Sequence, residues 1–129
     1  QAFANIGLIP DSGGTYWLPR LVGMARAKAL TMLGAPLPAQ DAQDLGLIHS
    51  CVADDAFQDE VDQLASKLAS MPTRGLGLTK KALHAGAHNT LDEQVALELD
   101  WQFEAAETED YAEGVAAFLE KRSPKFQGR

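Results

Sequence analysis

Gly7-Leu8-Ile9-Pro10-Asp11-Ser12-Gly13-Gly14-Thr15, followed directly by Tyr16-Trp17-Leu18-Pro19-Arg20-Leu21-Val22-Gly23, is the stretch whose reading decides the fold. The residues before Pro10 continue an apolar run from Phe3, so residues 3–9 read as a short buried strand. Residues 10–15 are dense in chain breakers and capping residues and read as a turn. A helix then runs to Val22 and stops at Gly23, with Pro19 predicting a short or kinked first turn. Two consecutive glycines let backbone N–H groups come close to a ligand. The helix that follows points its positive end at the same turn, where an anion or a developing oxyanion can be held. Asp11 lies in that turn as the candidate acid/base. The plainer alternative is that Asp11 caps the helix and the glycines only shape the turn.

Outward from this stretch, residues 24–33 read as a helix rich in Ala and Leu that stops at Gly34. Residues 39–44 read as a short helix after Pro38, and residues 47–52 as a second strand. Asp54 and Asp55 open a helix whose Phe57, Val61, Leu64, Ala65 and Leu68 share one face, and Pro72 ends it. Residues 73–87 are a helix weakened by Gly75 and Gly77. Thr90-Leu91-Asp92-Glu93 is a capping box that starts a long helix. Val95, Leu99 and Phe103 form one stripe of that helix, and Leu97, Trp101 and Ala105 form another, which predicts burial on two sides. Thr108 caps the last helix, in which Tyr111, Val115, Phe118 and Leu119 share a face and Ser123-Pro124 is the stop. Two short strands do not make a stable sheet alone, and the chain opens at Gln1 inside an apolar run. The expectation is a piece of a longer protein, mainly α with two short strands, divided into residues 1–53 and 54–129.

The 129 residues are 46% hydrophobic and 22% charged, an ordinary balance for a soluble globular protein, and carry a formal charge of −7. That charge argues against nucleic acid and anionic membranes as partners. Lys121, Arg122, Lys125 and Arg129 nevertheless cluster near one end. They suit a phosphate, or else simply a helix C-terminus that favours cations. One cysteine, Cys51, rules out an internal disulfide and fits a reducing compartment, so a cytoplasmic location is expected. No apolar run is long enough to span a bilayer. His84 and His88 have a metal-compatible spacing but no third ligand, and no metal is expected. Gly75 and Gly77 follow no strand and are no dinucleotide fingerprint.

Residues 7–23 closely resemble the Gly-Leu-Ile-Pro-Gly-x-Gly-Gly-Thr-x-x-Leu-x-Arg-x-x-Gly motif of the enoyl-CoA hydratase/isomerase (crotonase) superfamily. Ala25-Arg26-Ala27-Lys28-Ala29-Leu30 resembles the family's next helix. Ala42-Gln43-Asp44-Leu45-Gly46-Leu47-Ile48 resembles its Ala-x-x-x-Gly-Leu-Val segment. Residues 113–126 resemble its C-terminal signature. The resemblance covers nearly the whole chain but only the family's C-terminal half. It implies an α/β parent fold, a ββα spiral whose last part is residues 1–53, followed by C-terminal helices that build trimers or hexamers and cover the active site. The half that would supply the thioester-binding N–H groups lies outside this chain, so the chain alone is expected to be inactive.

The resemblance also sets expectations for the site. In the family's hydratases, a glutamate in a Pro-Glu-Val-x-Leu-Gly-Leu-Ile-Pro run acts as acid/base, and here that position is Phe3. Hydratases commonly carry glycine where this chain has Asp11, whereas family isomerases can place a catalytic aspartate at this turn. Phe3 with Asp11 looks most like the isomerases acting on ring-epoxidised phenylacetyl-CoA to give oxepin-CoA, with related activity on 3-enoyl-CoA. The expected site is Asp11 as acid/base, with Phe3, Pro10, Ser12 and Gly13 as pocket residues. Phe118 and Lys121 would meet the CoA end, although Phe118 also lies on an apolar face and suits core packing equally. The expected partner is an acyl-CoA thioester, and no separate cofactor is expected. Rival readings are an enoyl-CoA hydratase, another crotonase-type acyl-CoA activity, and a non-catalytic helical oligomerisation piece.

Overall fold

The structure is a computed structural model describing residues 1–129. A 3-10 helix, Ala2–Ile6, is followed by seven α-helices: α1 (Gly14–Val22), α2 (Met24–Leu33), α3 (Ala39–Asp44), α4 (Phe57–Ala69), α5 (Thr73–Gly86), α6 (Leu91–Ala106) and α7 (Glu109–Glu120). They form two compact units, residues 1–56 and 57–129. No helix is long and apolar enough to cross a membrane.

The mainly helical expectation holds, but both expected strands are absent. Residues 3–9, exposed except for the half-buried Phe3, close on themselves instead. Gly7 closes the 3-10 helix with a left-handed φ of 75° and donates to the Ala4 carbonyl at 3.2 Å, while Leu8 N–H donates to Phe3 at 3.0 Å. Residues 47–52 turn instead of extending. The Leu47 and Ile48 amides both donate to the Ala42 carbonyl, at 2.9 and 3.4 Å, and the Cys51 amide donates to the Gln43 side chain.

In the first unit, Leu18 and Val22 of α1 bury against Ala27 of α2, with Leu30, Leu45 and Leu47 packed around them. One residue, Gly23, joins α1 to α2. Its φ of 80° and ψ of 158° suit glycine, and its amide still donates to the Pro19 carbonyl at 3.0 Å. Helix α1 runs through Pro19, which removes only the donor that would have reached the Thr15 carbonyl.

In the second unit, α5 packs on α6. Gln94, Leu97, Trp101 and Ala105 are half-buried on one face of α6, whereas Val95, Leu99 and Phe103 remain more than half exposed. Only one of the two predicted stripes is covered within the chain. The stripe of α4 (Phe57, Val61, Leu64 and Leu68) is exposed as well. The capping box forms as read. Thr90 Oγ1 accepts from the Glu93 amide at 3.4 Å, and the Glu93 carboxylate accepts from the Thr90 amide at 2.8 Å. These contacts hold the Glu93 carboxyl below the ordinary carboxylate range. Replacing Thr90 by Ala removes the reciprocal cap. The unfolding free energy measured in urea should fall by about 1 kcal/mol, with an unchanged m-value.

Candidate functional site

The turn ahead of α1 is built from two successive left-handed residues. Ser12 has φ 51° and Gly13 φ 81°. The Asp11 carbonyl accepts the Gly14 amide at 2.8 Å, and the Gly13 carbonyl accepts the Tyr16 and Trp17 amides at 3.0 Å each. Gly13 itself caps α1, without any side-chain contact. Asp11 is therefore not the helix cap that the plainer reading made it. Its side chain is exposed and forms no hydrogen bond or ion pair. Gly13 serves space as well as conformation, whereas Gly14 would admit a Cβ at ordinary contact distance. A Cβ at Gly13 would lie 3.3 Å from the Trp17 ring, and one at Gly14 would lie 3.4 Å from both Pro10 Cβ and the Gln1 side chain. Arg20 stacks 3.5 Å above the Tyr16 ring and donates to the Tyr16 carbonyl at 2.8 Å, which stiffens the first turns of α1.

The structure thus gathers Pro10, Asp11, Ser12 and Gly13 in one bend facing the positive end of α1. Phe3 stands apart, half-buried in the 3-10 helix. One feature escaped the sequence reading. An apolar cavity of about 430 Å³ is lined by Ala2, Leu18, Leu30, Leu37, Ala42 and Leu47, among others, and neither Phe3 nor Asp11 lines it. No linear pattern marks it, because its walls come from four separate segments.

The other candidate residues lie at the end of α7. Phe118 is 82% exposed, so no packing within this chain buries it. With Tyr111, Val115, Leu119 and Phe126 it walls an apolar pocket of about 420 Å³. Lys121 ends the helix in a left-handed conformation. The four-cation cluster read from sequence divides in the structure. Arg122 grips Glu113 with two prongs, Nη1–Oε1 at 2.6 Å and Nη2–Oε2 at 2.8 Å, and reaches Glu120 at 2.6 Å. Arg129 pairs with Glu109 at 2.9 Å. Lys121 and Lys125 form no ion pair.

Behind this cluster the tail folds back on α7. Asp110, buried at 3% exposure, accepts the Gln127 amide at 2.6 Å and the Gly128 amide at 2.8 Å, and its own amide donates to the Arg129 carbonyl. Glu113 also accepts the Lys125 amide at 2.7 Å. Asp110 and Glu113 together tether the tail, and no periodic pattern in the sequence marks them for it. The Arg122 guanidinium, and after it the Lys125 amide, bring the Glu113 carboxyl down to about 2, against a smaller opposing effect of burial. Glu113 and Glu120 in turn raise the Arg122 guanidinium above its ordinary value.

An Enoyl-CoA hydratase/isomerase family model matches residues 1–129. Among curated proteins, the 1,2-epoxyphenylacetyl-CoA isomerase of Escherichia coli K12 is 51% identical over the whole chain, which covers 49% of that protein. A Rhodobacter capsulatus protein named "Probable enoyl-CoA hydratase" is 47% identical over the whole chain, covering 50% of its length. The crystal structure of an enoyl-CoA hydratase from Bacillus anthracis superposes with a TM-score of 0.90 at 33% identity, covering 99% of this chain and 50% of that one. The chain therefore spans about half the length of the relatives it matches.

The depressed Glu113 value has a pH consequence. Because the folded value lies below the unfolded one, the stabilisation is complete above about 4.5 and is lost as pH falls from there through about 2. A carbon-detected NMR titration should show Glu113 still ionised at pH 3, when exposed carboxylates are mostly protonated. The protection of amides in residues 122–126, corrected for intrinsic exchange, should fall progressively from about pH 4.5 downwards.

Proposed function

The chain belongs to the enoyl-CoA hydratase/isomerase family, and from that premise we propose that its protein is an acyl-CoA isomerase in which Asp11 carries the proton. The observation that supports this most is an exposed carboxylate, engaged by no other group, in a glycine-lined bend at the positive end of a helix. A capping role would have occupied it. A thioester α-proton is weakly acidic, and its removal needs a base and a place for the enolate oxygen.

On a 3-enoyl thioester, Asp11 takes a proton from C2. The electron pair spreads onto the thioester oxygen and along to C4, and the same carboxyl returns the proton at C4 to leave the 2-enoyl product. One acid/base suffices for this exchange, whereas hydration also needs a positioned water. Phe3 stands where the family's hydratases carry a glutamate, and it cannot hold or activate water. The donors to the thioester oxygen would come from sequence outside this chain.

The acyl group is either 3-enoyl or ring-epoxidised phenylacetyl, the latter on the strength of the 51% identical isomerase. Pro10, Ser12 and Gly13 shape the acyl side of the site. Phe118 and Lys121 receive the nucleotide end of CoA, which enters as part of the substrate, so no separate cofactor is invoked. The exposed stripes of α6 and α7 suit a homo-oligomer, a trimer or hexamer, in the cytoplasm. The 47% identical relative named as a hydratase keeps hydration as the second reading.

Asp11→Asn in the full-length protein should lower kcat for isomerisation by about 10²–10⁴-fold while leaving acyl-CoA affinity within about twofold. Steady-state rates on epoxyphenylacetyl-CoA and 3-enoyl-CoA, with product analysis, check this. A fully active variant removes Asp11 from the chemistry, and 3-hydroxyacyl-CoA as the main product from a 2-enoyl substrate favours the hydratase. A chain that proves to exist alone and turns over none of these thioesters would instead be a helical oligomerisation piece.

A further inference from the structure

Apart from glycine, only Ser12 and Lys121 have positive φ in this chain. Lys121, with φ 54° and ψ 40°, closes α7 in a Schellman arrangement. The Arg122 amide donates to the Ala117 carbonyl at 3.0 Å, and the Lys121 amide donates to the Phe118 carbonyl at 3.3 Å. Glycine is the usual occupant of this position, because a Cβ is disfavoured there. A lysine in its place is a local strain that the surroundings must enforce, and such strain points to a use for the side chain.

The enforcement is visible. Arg122, the next residue, is fixed by its two-pronged contact with Glu113 and by Glu120. Glu113 also takes the Lys125 amide, so the chain on the far side of Lys121 is bound back to the helix that precedes it. The lysine held there forms no ion pair, and Phe118, three residues earlier in the last turn of α7, is exposed. An exposed aromatic face beside an unpaired cation suits a purine and its phosphates.

We propose that Glu113 and Arg122 are positioning residues that hold Lys121 in its left-handed turn beside Phe118, where the ammonium meets the phosphates of the CoA nucleotide. This rests on the acyl-CoA reading above. It adds that the site is set by a tether behind the contact residue, and that a glycine-type conformation is kept lysine for its charge.

The test uses the full-length protein with one acyl group carried either on CoA or on N-acetylcysteamine, which lacks the nucleotide. Lys121→Gly should raise the thermal midpoint, because it relieves the left-handed lysine, and yet raise KM for the CoA thioester by about fivefold or more. Glu113→Gln should lower the midpoint and raise the same KM by a similar factor. Both should leave kcat, and both constants on the N-acetylcysteamine thioester, within about twofold. Arg122→Lys keeps the charge but loses the two-pronged contact; it gives a smaller rise of the same sign and carries the test if Glu113→Gln folds poorly.

If Lys121→Gly raises the CoA KM but neither Glu113→Gln nor Arg122→Lys does, the positioning role is overturned and the CoA contact stands. If no variant moves it while the wild type turns over the CoA thioester, the CoA contact at Lys121 falls too. Equal losses on both thioesters mean a structural role only and overturn the proposal.

Discussion

This chain has no sheet, and in several of its irregular segments the peptide groups find partners close by in sequence or on side chains. Ahead of α1 they close into a 3-10 helix and a left-handed glycine. After α3 they fold onto the single carbonyl of Ala42 and the side chain of Gln43. Beyond α7, where no secondary structure continues, carboxylates take over. Asp110 and Glu113, one turn apart, accept three tail amides between them. A carboxylate is a stronger acceptor than a carbonyl, so a short tail with little apolar surface can still be held.

Side-chain burial is modest by comparison. Leu18, Val22, Ala27, Ala42, Leu78 and Ala117 are the buried hydrophobics, while whole stripes of α4, α6 and α7 face outward. Apolar stripes of that length are stable features of a protein when something covers them. The chain spans about half of its relatives' length, which leaves ample surface elsewhere in such proteins for that purpose. The local devices are complete even so: the capping box, the left-handed joints and the tail tether are all internal to the segments that use them.

How much was legible in the sequence follows from this division. Helices whose signals are local, such as α6 behind Thr90 and Glu93 or α2 ending at Gly34, lie where their caps and stops place them. The bend at residues 10–14 was equally plain, since Pro, Asp and paired Gly have few other uses. The two strands failed because an apolar run states only that it wants cover; whether a neighbouring strand exists is a non-local fact. At the site, Asp11 and Phe3 gain meaning only beside the family's motif, and the Arg122–Glu113 contact spans nine positions across a reversal and has no periodic signature. The basic cluster divides in the same way, because counting cations does not reveal which are already neutralised.

The single-residue joint at Gly23 has a mechanical consequence. Helix α1 begins at the Asp11 bend and ends at that joint, and its nine residues make a rod of roughly 13 Å. Leu18 and Val22 pin the rod along its inner side. A small rotation at Gly23 would swing the far end through a larger arc, so the aim of the carboxylate is geared to a backbone angle a helix-length away. Stiffness at Gly23 thus bears on where the Asp11 side chain lies.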